Sequence, residues 1–120
     1  MCKKHFRNLV RRSYSRLSKL GKYVSRAKFD SFLSEQIGQV QGTILHLGCG
    51  PKSYQAWTPA REVLVDIHLY PLLNACVDAH QLPFTNNSFD GVLIEEMLEH
   101  CQTPYQVIDE VRRVLKPDMR

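Results

Sequence analysis

The chain has 120 residues, of which 43% are hydrophobic and 23% are charged, and its formal net charge is +4. This length and composition predict one soluble globular domain, and no stretch reaches the roughly 20 apolar residues of a membrane-spanning helix. The four cysteines and five histidines include no Cys-x-x-Cys pair and no close-spaced ligand pair, which argues against a metal site or a disulfide scaffold and favours a cytoplasmic protein with reduced thiols.

The first predicted element is a strongly basic segment within residues 1–42. Residues 1–28 hold ten lysines and arginines and no acid, so this arm carries +10, while the other six bases and all twelve acids give the remainder −6. Apolar residues recur every three or four positions over residues 5–37, which predicts an amphipathic helix with a break near Gly21. Three interpretations are open: a helix packed on the following domain, a surface for the phosphates of nucleic acid or anionic lipid, and an organelle transit segment.

The centre of the chain predicts a strand, a tight glycine turn and a second strand. An apolar run over Thr43–Leu47 is followed by Gly48 and Gly50, and a second run over Glu62–Asp66 ends in an acid. Glycines carry no Cβ, so the backbone can turn sharply there and approach a ligand closely. Asp66 lies 16 positions after Gly50, about where a nucleotide-binding fold places the carboxylate that binds ribose hydroxyls.

The remaining elements are short strands and one clear helix. Pro51 and Pro59 disfavour a long helix between the first two strands. The further predicted elements are strand three near Ala75–Asp78, strand four over Phe89–Ile94, and a helix over Thr103–Leu115 with Thr103 as its N-cap and Pro117 as its stop. This alternation predicts an α/β fold with a Rossmann-like, doubly wound and mainly parallel sheet. The chain is therefore divided into an N-terminal amphipathic helical segment, residues 1–42, and a domain over residues 43–120.

The motifs at the strand ends follow one another in a definite order. They are Gly48-Cys49-Gly50, Val65-Asp66-Ile67, Val77-Asp78-Ala79-His80-Gln81-Leu82-Pro83-Phe84, Asn87-Ser88-Phe89-Asp90-Gly91-Val92-Leu93, Met97-Leu98-Glu99-His100 and Glu110-Val111-Arg112-Arg113-Val114-Leu115-Lys116-Pro117. In this order and spacing the chain resembles the class I S-adenosylmethionine-dependent methyltransferases, and within them the type 11 branch. The resemblance covers about residues 43–118.

The resemblance implies S-adenosyl-L-methionine as the cofactor and assigns roles to single residues. The turn from Gly48 to Gly50 would pass under the methionine part, and Asp66 would hold the ribose hydroxyls. Asp78 would accept a hydrogen bond from the adenine amino group, and the Ala79 N–H would meet an adenine ring nitrogen. The implied cofactor-binding residues are Leu47, Gly48, Cys49, Gly50, Asp66, Ile67, Asp78, Ala79, Leu82 and Glu95.

The resemblance also suggests what surrounds the base and the transferred methyl group. Leu82 and Phe84 would give apolar cover near the adenine. Glu95 follows strand four, where the family lines the methyl-transfer pocket, so Glu95 and His100 are the candidate catalytic residues. The resemblance specifies neither the methyl acceptor nor a metal.

Three departures from the family pattern bear on these expectations. His46 stands where the wider superfamily often has an acid, and Lys52 stands where a third glycine is common. In the family, Leu-Lys-Pro is followed by three more strands, which the sequence up to Arg120 does not contain. We therefore expect a C-terminally truncated or split domain, with strand four as an exposed edge that can pair with another copy.

Three functions remain open on this sequence. The first is methyl transfer to an acceptor, and the second is a non-catalytic or regulatory fragment that only binds S-adenosylmethionine. The third is a nicotinamide-dependent oxidoreductase. Ser53 in place of the third glycine of Gly-x-Gly-x-x-Gly, together with the Asp78-Ala79 pair, argues against the third.

Overall fold

The structure is a computed structural model that describes residues 26–119. Its helices and strands are α1 (Arg26–Gly38), β1 (Thr43–Leu47), β2 (Arg61–Asp66), β3 (Ala75–Cys76), β4 (Gly91–Ile94) and α2 (Pro104–Val114). The four strands form one sheet in the order β3-β2-β1-β4, and every pair in it is parallel. The predicted α/β fold with a Rossmann-like parallel sheet is confirmed.

Both faces of the sheet are covered, as a parallel sheet requires. On one face, Leu45 and Leu47 of β1 belong to a buried cluster that also contains three valines of α2, Val107, Val111 and Val114. On the other face, Ile44 packs with Leu33 and Ile37 of α1. Each fully buried side chain of this size contributes about 1.5–3 kcal/mol, so β1 is held from both sides.

The N-terminal prediction is confirmed only for the part that the structure describes. Residues 26–38 form α1, whose Leu33 and Ile37 pack on the sheet, as the packed-helix interpretation expects. The predicted helix over residues 5–25, its break near Gly21 and the basic surface of the arm lie outside the described residues. No helix among residues 26–119 is long and apolar enough to cross a membrane.

Two predicted strand boundaries were wrong. β3 ends at Cys76 rather than Asp78, because the chain turns away after the Val77 N–H donates to the Asp66 carbonyl at 2.8 Å. β4 begins at Gly91, because Phe89 forms its bridge with Leu115 beyond α2 instead of with β1.

The helix α2 and the outer strand agree with the sequence in part. Thr103 precedes the first helical residue as predicted, but its side chain makes no capping hydrogen bond among the described residues. The helix ends at Val114, and Pro117 opens a separate 3₁₀ turn. Within residues 26–119, β4 pairs with β1 alone, so self-association through β4 stays a prediction.

Candidate functional site

A cavity of about 760 Å³ opens at the carboxyl ends of the parallel strands. The end of β1 and the segments that follow all four strands contribute to its wall, which is where open α/β sheets bind ligands. Its lining residues are 46–52, 66–68, 70, 77–80, 95–97 and 100–102.

The glycine turn after β1 forms part of the wall of this cavity. Gly48 has φ +70° and Gly50 has φ +55°, both in the left-handed region that favours glycine. A Cβ at Gly48 would lie 2.6 Å from the Met97 side chain, whereas a Cβ at Gly50 would meet no described atom within 4 Å. Gly48 is therefore needed for the close packing of the turn against Met97. At Gly50 the absence of a side chain enlarges the cavity.

Asp66 ties this turn to the end of β2. Its Oδ2 accepts a hydrogen bond from the Gly50 N–H at 2.9 Å, and its Oδ1 accepts one from the His68 N–H at 2.9 Å. A carboxylate offers about four acceptor positions, so these two bonds fix its orientation and still leave acceptor capacity toward the cavity.

The segment after β3 places Asp78 and Ala79 in the cavity wall. Asp78 Oδ1 accepts from the His80 N–H at 2.9 Å and lies 2.7 Å from His80 Nδ1. Because the Thr103 N–H donates to His80 Nε2 at 3.2 Å, His80 Nδ1 carries the proton and donates it to Asp78. These bonds, led by the His80 N–H, lower the pKa of Asp78 below its usual range.

Glu95 follows β4 and contacts residues that come from the turn after β1. Its Oε1 lies 3.0 Å from Lys52 Nζ, and its Oε2 accepts a hydrogen bond from the Tyr54 hydroxyl at 2.5 Å. The Glu95 side chain is 9% exposed, whereas Lys52 is 43% exposed. The ion pair therefore links β1 and β4 across one end of the cavity.

A buried polar network, which the sequence patterns do not predict, lies below the turn. Glu62 accepts hydrogen bonds from the Ser53 hydroxyl at 2.6 Å and the Tyr54 N–H at 3.0 Å, and its Oε2 lies 3.2 Å from His46 Nδ1. Burial alone would raise the pKa of Glu62, but the bonds from His46, Ser53 and Tyr54 outweigh it and hold that pKa below its ordinary value. The one sequence signal for this network was Glu62, an acid at a buried position of β2.

Three aromatic rings continue this network toward α1. The Tyr54 ring stacks on His46 with a centroid distance of 5.4 Å, and the Trp57 ring lies 4.7 Å from Tyr54. Tyr54 and Trp57 also belong to the apolar cluster under α1. His46 therefore has a fixed ring plane at the floor of the cavity.

Cys49 is a packing residue in the same turn. Burial, and next the nearby Asp66 carboxylate, raise the pKa of the Cys49 thiol to about 11. The thiol therefore stays protonated at neutral pH and is a poor nucleophile. It donates to the Gly50 carbonyl at 3.3 Å.

The structure brings together nine of the ten implied cofactor-binding residues and separates the tenth. The nine that line the cavity are Leu47, Gly48, Cys49, Gly50, Asp66, Ile67, Asp78, Ala79 and Glu95. Leu82 belongs to the hydrophobic core instead, and its N–H donates to Glu110 at 2.7 Å. Phe84 packs edge-on against Phe89 at 5.0 Å. The expected apolar cover from Leu82 and Phe84 is therefore not part of the cavity wall.

The second catalytic candidate also lies at the cavity. His100 lines it, and His100 Nε2 lies 3.3 Å from the buried Glu99 carboxylate. No group of three or more histidines, cysteines or acids with metal-binding geometry occurs within residues 26–119.

The charges around the cavity are predominantly negative. Among the described lining residues, one is a lysine, Lys52, and four are acids, Asp66, Asp78, Glu95 and Glu96. Such a wall favours a ligand that carries positive charge.

A comparison with protein families gives a match for this chain. The model of a family described as a methyltransferase domain matches residues 45–119, which include the last three residues of β1 and all of β2, β3, β4 and α2. A comparison with curated proteins gives no match.

Proposed function

Because the chain belongs to the class I S-adenosylmethionine-dependent methyltransferases, we propose that it binds S-adenosylmethionine in this cavity and transfers the methyl group to a nucleophilic acceptor. One observation carries the proposal: the glycine turn, Asp66 and the Asp78-Ala79 pair line a single cavity at the strand ends. The volume of about 760 Å³ lies within the usual range for small-molecule sites.

The chemistry of the wall fits this cofactor. When bound, S-adenosylmethionine supplies a methyl group on a positively charged sulfonium, and four acids surround the cavity. In the proposal, the free acceptor capacity of Asp66 receives the ribose hydroxyls, and Asp78 receives the adenine amino group. Gly50 allows the cofactor to approach the backbone closely, because it has no Cβ and no described atom fills the space that a Cβ would occupy.

The protein would act mainly by positioning the two reactants. Holding reacting groups in line removes much of the entropic part of a bimolecular barrier. Glu95 and His100 line the cavity and are proposed to orient the acceptor or take its proton. Lys52 and Tyr54 fix the Glu95 carboxylate from two sides.

A second candidate function is binding of the cofactor without turnover, as in a regulatory protein. The observation that favours it is the position of Glu95, whose two oxygens already contact Lys52 and Tyr54. An acceptor would have to share this carboxylate with both residues. Asp66 and the glycine turn support cofactor binding in either case.

Calorimetric titration with S-adenosylhomocysteine tests the binding. Asp66→Ala should weaken binding at least tenfold, because hydrogen bonds to charged groups contribute about 1.5–3 kcal/mol each. Asp109→Ala, at an exposed position of α2, is the matched control and should bind normally. Unchanged affinity in a folded Asp66→Ala variant would contradict the assignment.

Transfer of labelled methyl groups into cell extracts separates the two functions. Incorporation that depends on Asp66 supports the methyltransferase. Tight binding of S-adenosylhomocysteine without incorporation supports the non-catalytic protein.

A further inference from the structure

His80 joins two separate parts of the cavity wall. It follows Asp78 in the wall segment after β3, and its ring nitrogen Nε2 accepts a hydrogen bond from the Thr103 N–H at 3.2 Å. Thr103 directly follows residues 100–102, which also line the cavity, and it directly precedes α2. His80 therefore connects the part of the wall that contains Asp78 to the part that lies before α2.

A second hydrogen bond holds the main chain of His80 against α2. The side-chain amide of Gln106, in the first turn of this helix, donates to the His80 carbonyl at 2.9 Å. The next residue, Val107, is 0% exposed, so the helical turn that holds His80 is itself anchored in the hydrophobic core. Because α2 contacts both the backbone and the Nε2 atom of His80, the plane of the imidazole ring is fixed.

The fixed ring directs its proton at one oxygen of Asp78. Nδ1 carries that proton because Nε2 accepts a bond, and it lies 2.7 Å from Asp78 Oδ1, which also accepts from the His80 N–H at 2.9 Å. Both bonds go to Oδ1, and Oδ2 accepts none from the residues that the structure describes. The Asp78 side chain is 57% exposed, so a ligand in the cavity can reach Oδ2.

We propose that His80 is a positioning residue for recognition of the purine base, because it holds the Asp78 carboxylate with Oδ2 turned toward the 6-amino group. The identity of the bound nucleoside rests on the proposed function. Without the ring of His80, an exposed carboxylate would rotate more freely and would have to lose that freedom on binding. The consequence is selectivity, since a 6-oxo purine would place an acceptor oxygen against an ionised carboxylate that is unable to turn away.

The test compares two ligands that differ at position 6 of the base. Calorimetry measures the affinity for S-adenosylhomocysteine and for its inosine analogue, in which an oxygen replaces the amino group. The wild type should prefer the amino compound by about tenfold or more, the value of one charged hydrogen bond. In His80→Leu this preference should fall by about fivefold, the value of one ordinary hydrogen bond. Equal affinity of the wild type for the two ligands would overturn the proposal.

A conservative variant and a matched control separate positioning from a general structural effect. His80→Asn places an amide N–H near the position of Nδ1, can still donate to Asp78, and should keep most of the preference. Gln81→Leu introduces leucine at the exposed neighbouring position and should keep all of it. General loosening would weaken binding of both ligands equally, so an unchanged ratio in His80→Leu, or an equal loss in His80→Asn, would overturn the proposal.

A spectroscopic readout on the wild type covers the case in which the variants do not fold. Nitrogen NMR of labelled histidine should show His80 protonated at Nδ1 and not at Nε2, with an Nδ1 proton resonance that shifts more on adding S-adenosylhomocysteine than on adding the inosine analogue. A proton on Nε2, or equal shifts with both bound ligands, would refute the role of His80. A wild type that binds neither ligand would instead overturn the proposed function itself.

Discussion

Gly48 and Gly50 share a positive φ, but a side chain would disturb each of them for a different reason. At Gly48 a Cβ would lie within 3 Å of three atoms of Met97, whereas at Gly50 it would stand in open space at the cavity. At both sites a residue with a Cβ would be strained by the left-handed backbone, which costs about 1–2 kcal/mol. The Met97 contact adds a packing cost at Gly48 alone.

We therefore predict that alanine at the two positions affects different properties. Gly48→Ala should lower the free energy of unfolding more than Gly50→Ala does, by urea denaturation. Gly50→Ala should lose only about 1–2 kcal/mol of stability but bind S-adenosylhomocysteine several-fold more weakly, since its methyl group enters the cavity. A Gly50→Ala protein less stable than Gly48→Ala would show that the packing at Gly48 is misjudged.

Among the elements, α2 holds the loop before β4 in part through the side chains of Arg113 and Glu110. The Arg113 guanidinium donates to the carbonyls of Leu82 and Phe84 at 3.0 and 2.7 Å. Glu110 pairs with Arg113 at 2.8 Å and accepts from the Leu82 N–H at 2.7 Å. The loop held in this way follows directly from Asp78, so α2 fixes the segment that carries the proposed adenine contacts.

Replacing Arg113 should loosen that segment. In Arg113→Met, amide hydrogen exchange over residues 79–88 should speed up at least tenfold, while exchange in β1 stays slow, because each lost bond to the guanidinium contributes about 1.5–3 kcal/mol. Arg112→Met, at the exposed neighbouring position, is the control. Equal exchange rates in the wild type and Arg113→Met would show that the loop is held by its apolar contacts instead.

The limits of the sequence prediction also appear at the scale of elements. β1 was predicted correctly because its apolar run and following glycines are local signals. The end of β3 depends on the bond from the Val77 N–H to the Asp66 carbonyl on β2, and the start of β4 depends on the bridge from Phe89 to Leu115. No local pattern in the sequence contains these contacts.

The candidate site shows the same division between local and long-range information. The predicted strand ends and the glycine turn were enough to indicate most of the residues in the cavity wall. The pair of His46 and Glu62, by contrast, depends on the parallel register that sets Ile44 against Glu62. The position of Leu82 in the hydrophobic core likewise involves a distant partner, since its N–H donates to Glu110, 28 positions away.

For the whole molecule, the paired carboxylates predict how stability depends on pH. Hydrogen bonds from Arg113 lower the pKa of Glu110, bonds from Lys116 lower that of Asp90, and the network around Glu62 lowers that of Glu62. A group whose pKa is lower in the folded state stabilises the fold above its unfolded pKa of about 4 and loses that effect as pH falls through the folded value.

The melting temperature should therefore stay nearly level from pH 7 to about 5 and fall steeply below about 4. A scan of thermal melts against pH measures this directly. The variant Lys116→Met removes the partner of Asp90 and should show a shallower fall. A melting temperature that rises on acidification would contradict the assignment of these pairs.

The stack of Trp57, Tyr54 and His46 has an optical consequence, since Trp57 is the only tryptophan in the 120-residue sequence. Its indole lies 4.7 Å from the Tyr54 ring, which in turn lies 5.4 Å from the imidazole at the cavity floor. Intrinsic fluorescence should therefore report cavity occupancy without any attached dye. Titration with S-adenosylhomocysteine should change the emission intensity with the midpoint that calorimetry gives, and Trp57→Phe should abolish the signal. If calorimetry shows binding while the emission intensity stays constant, ligand binding does not change the environment of Trp57 and this prediction is wrong.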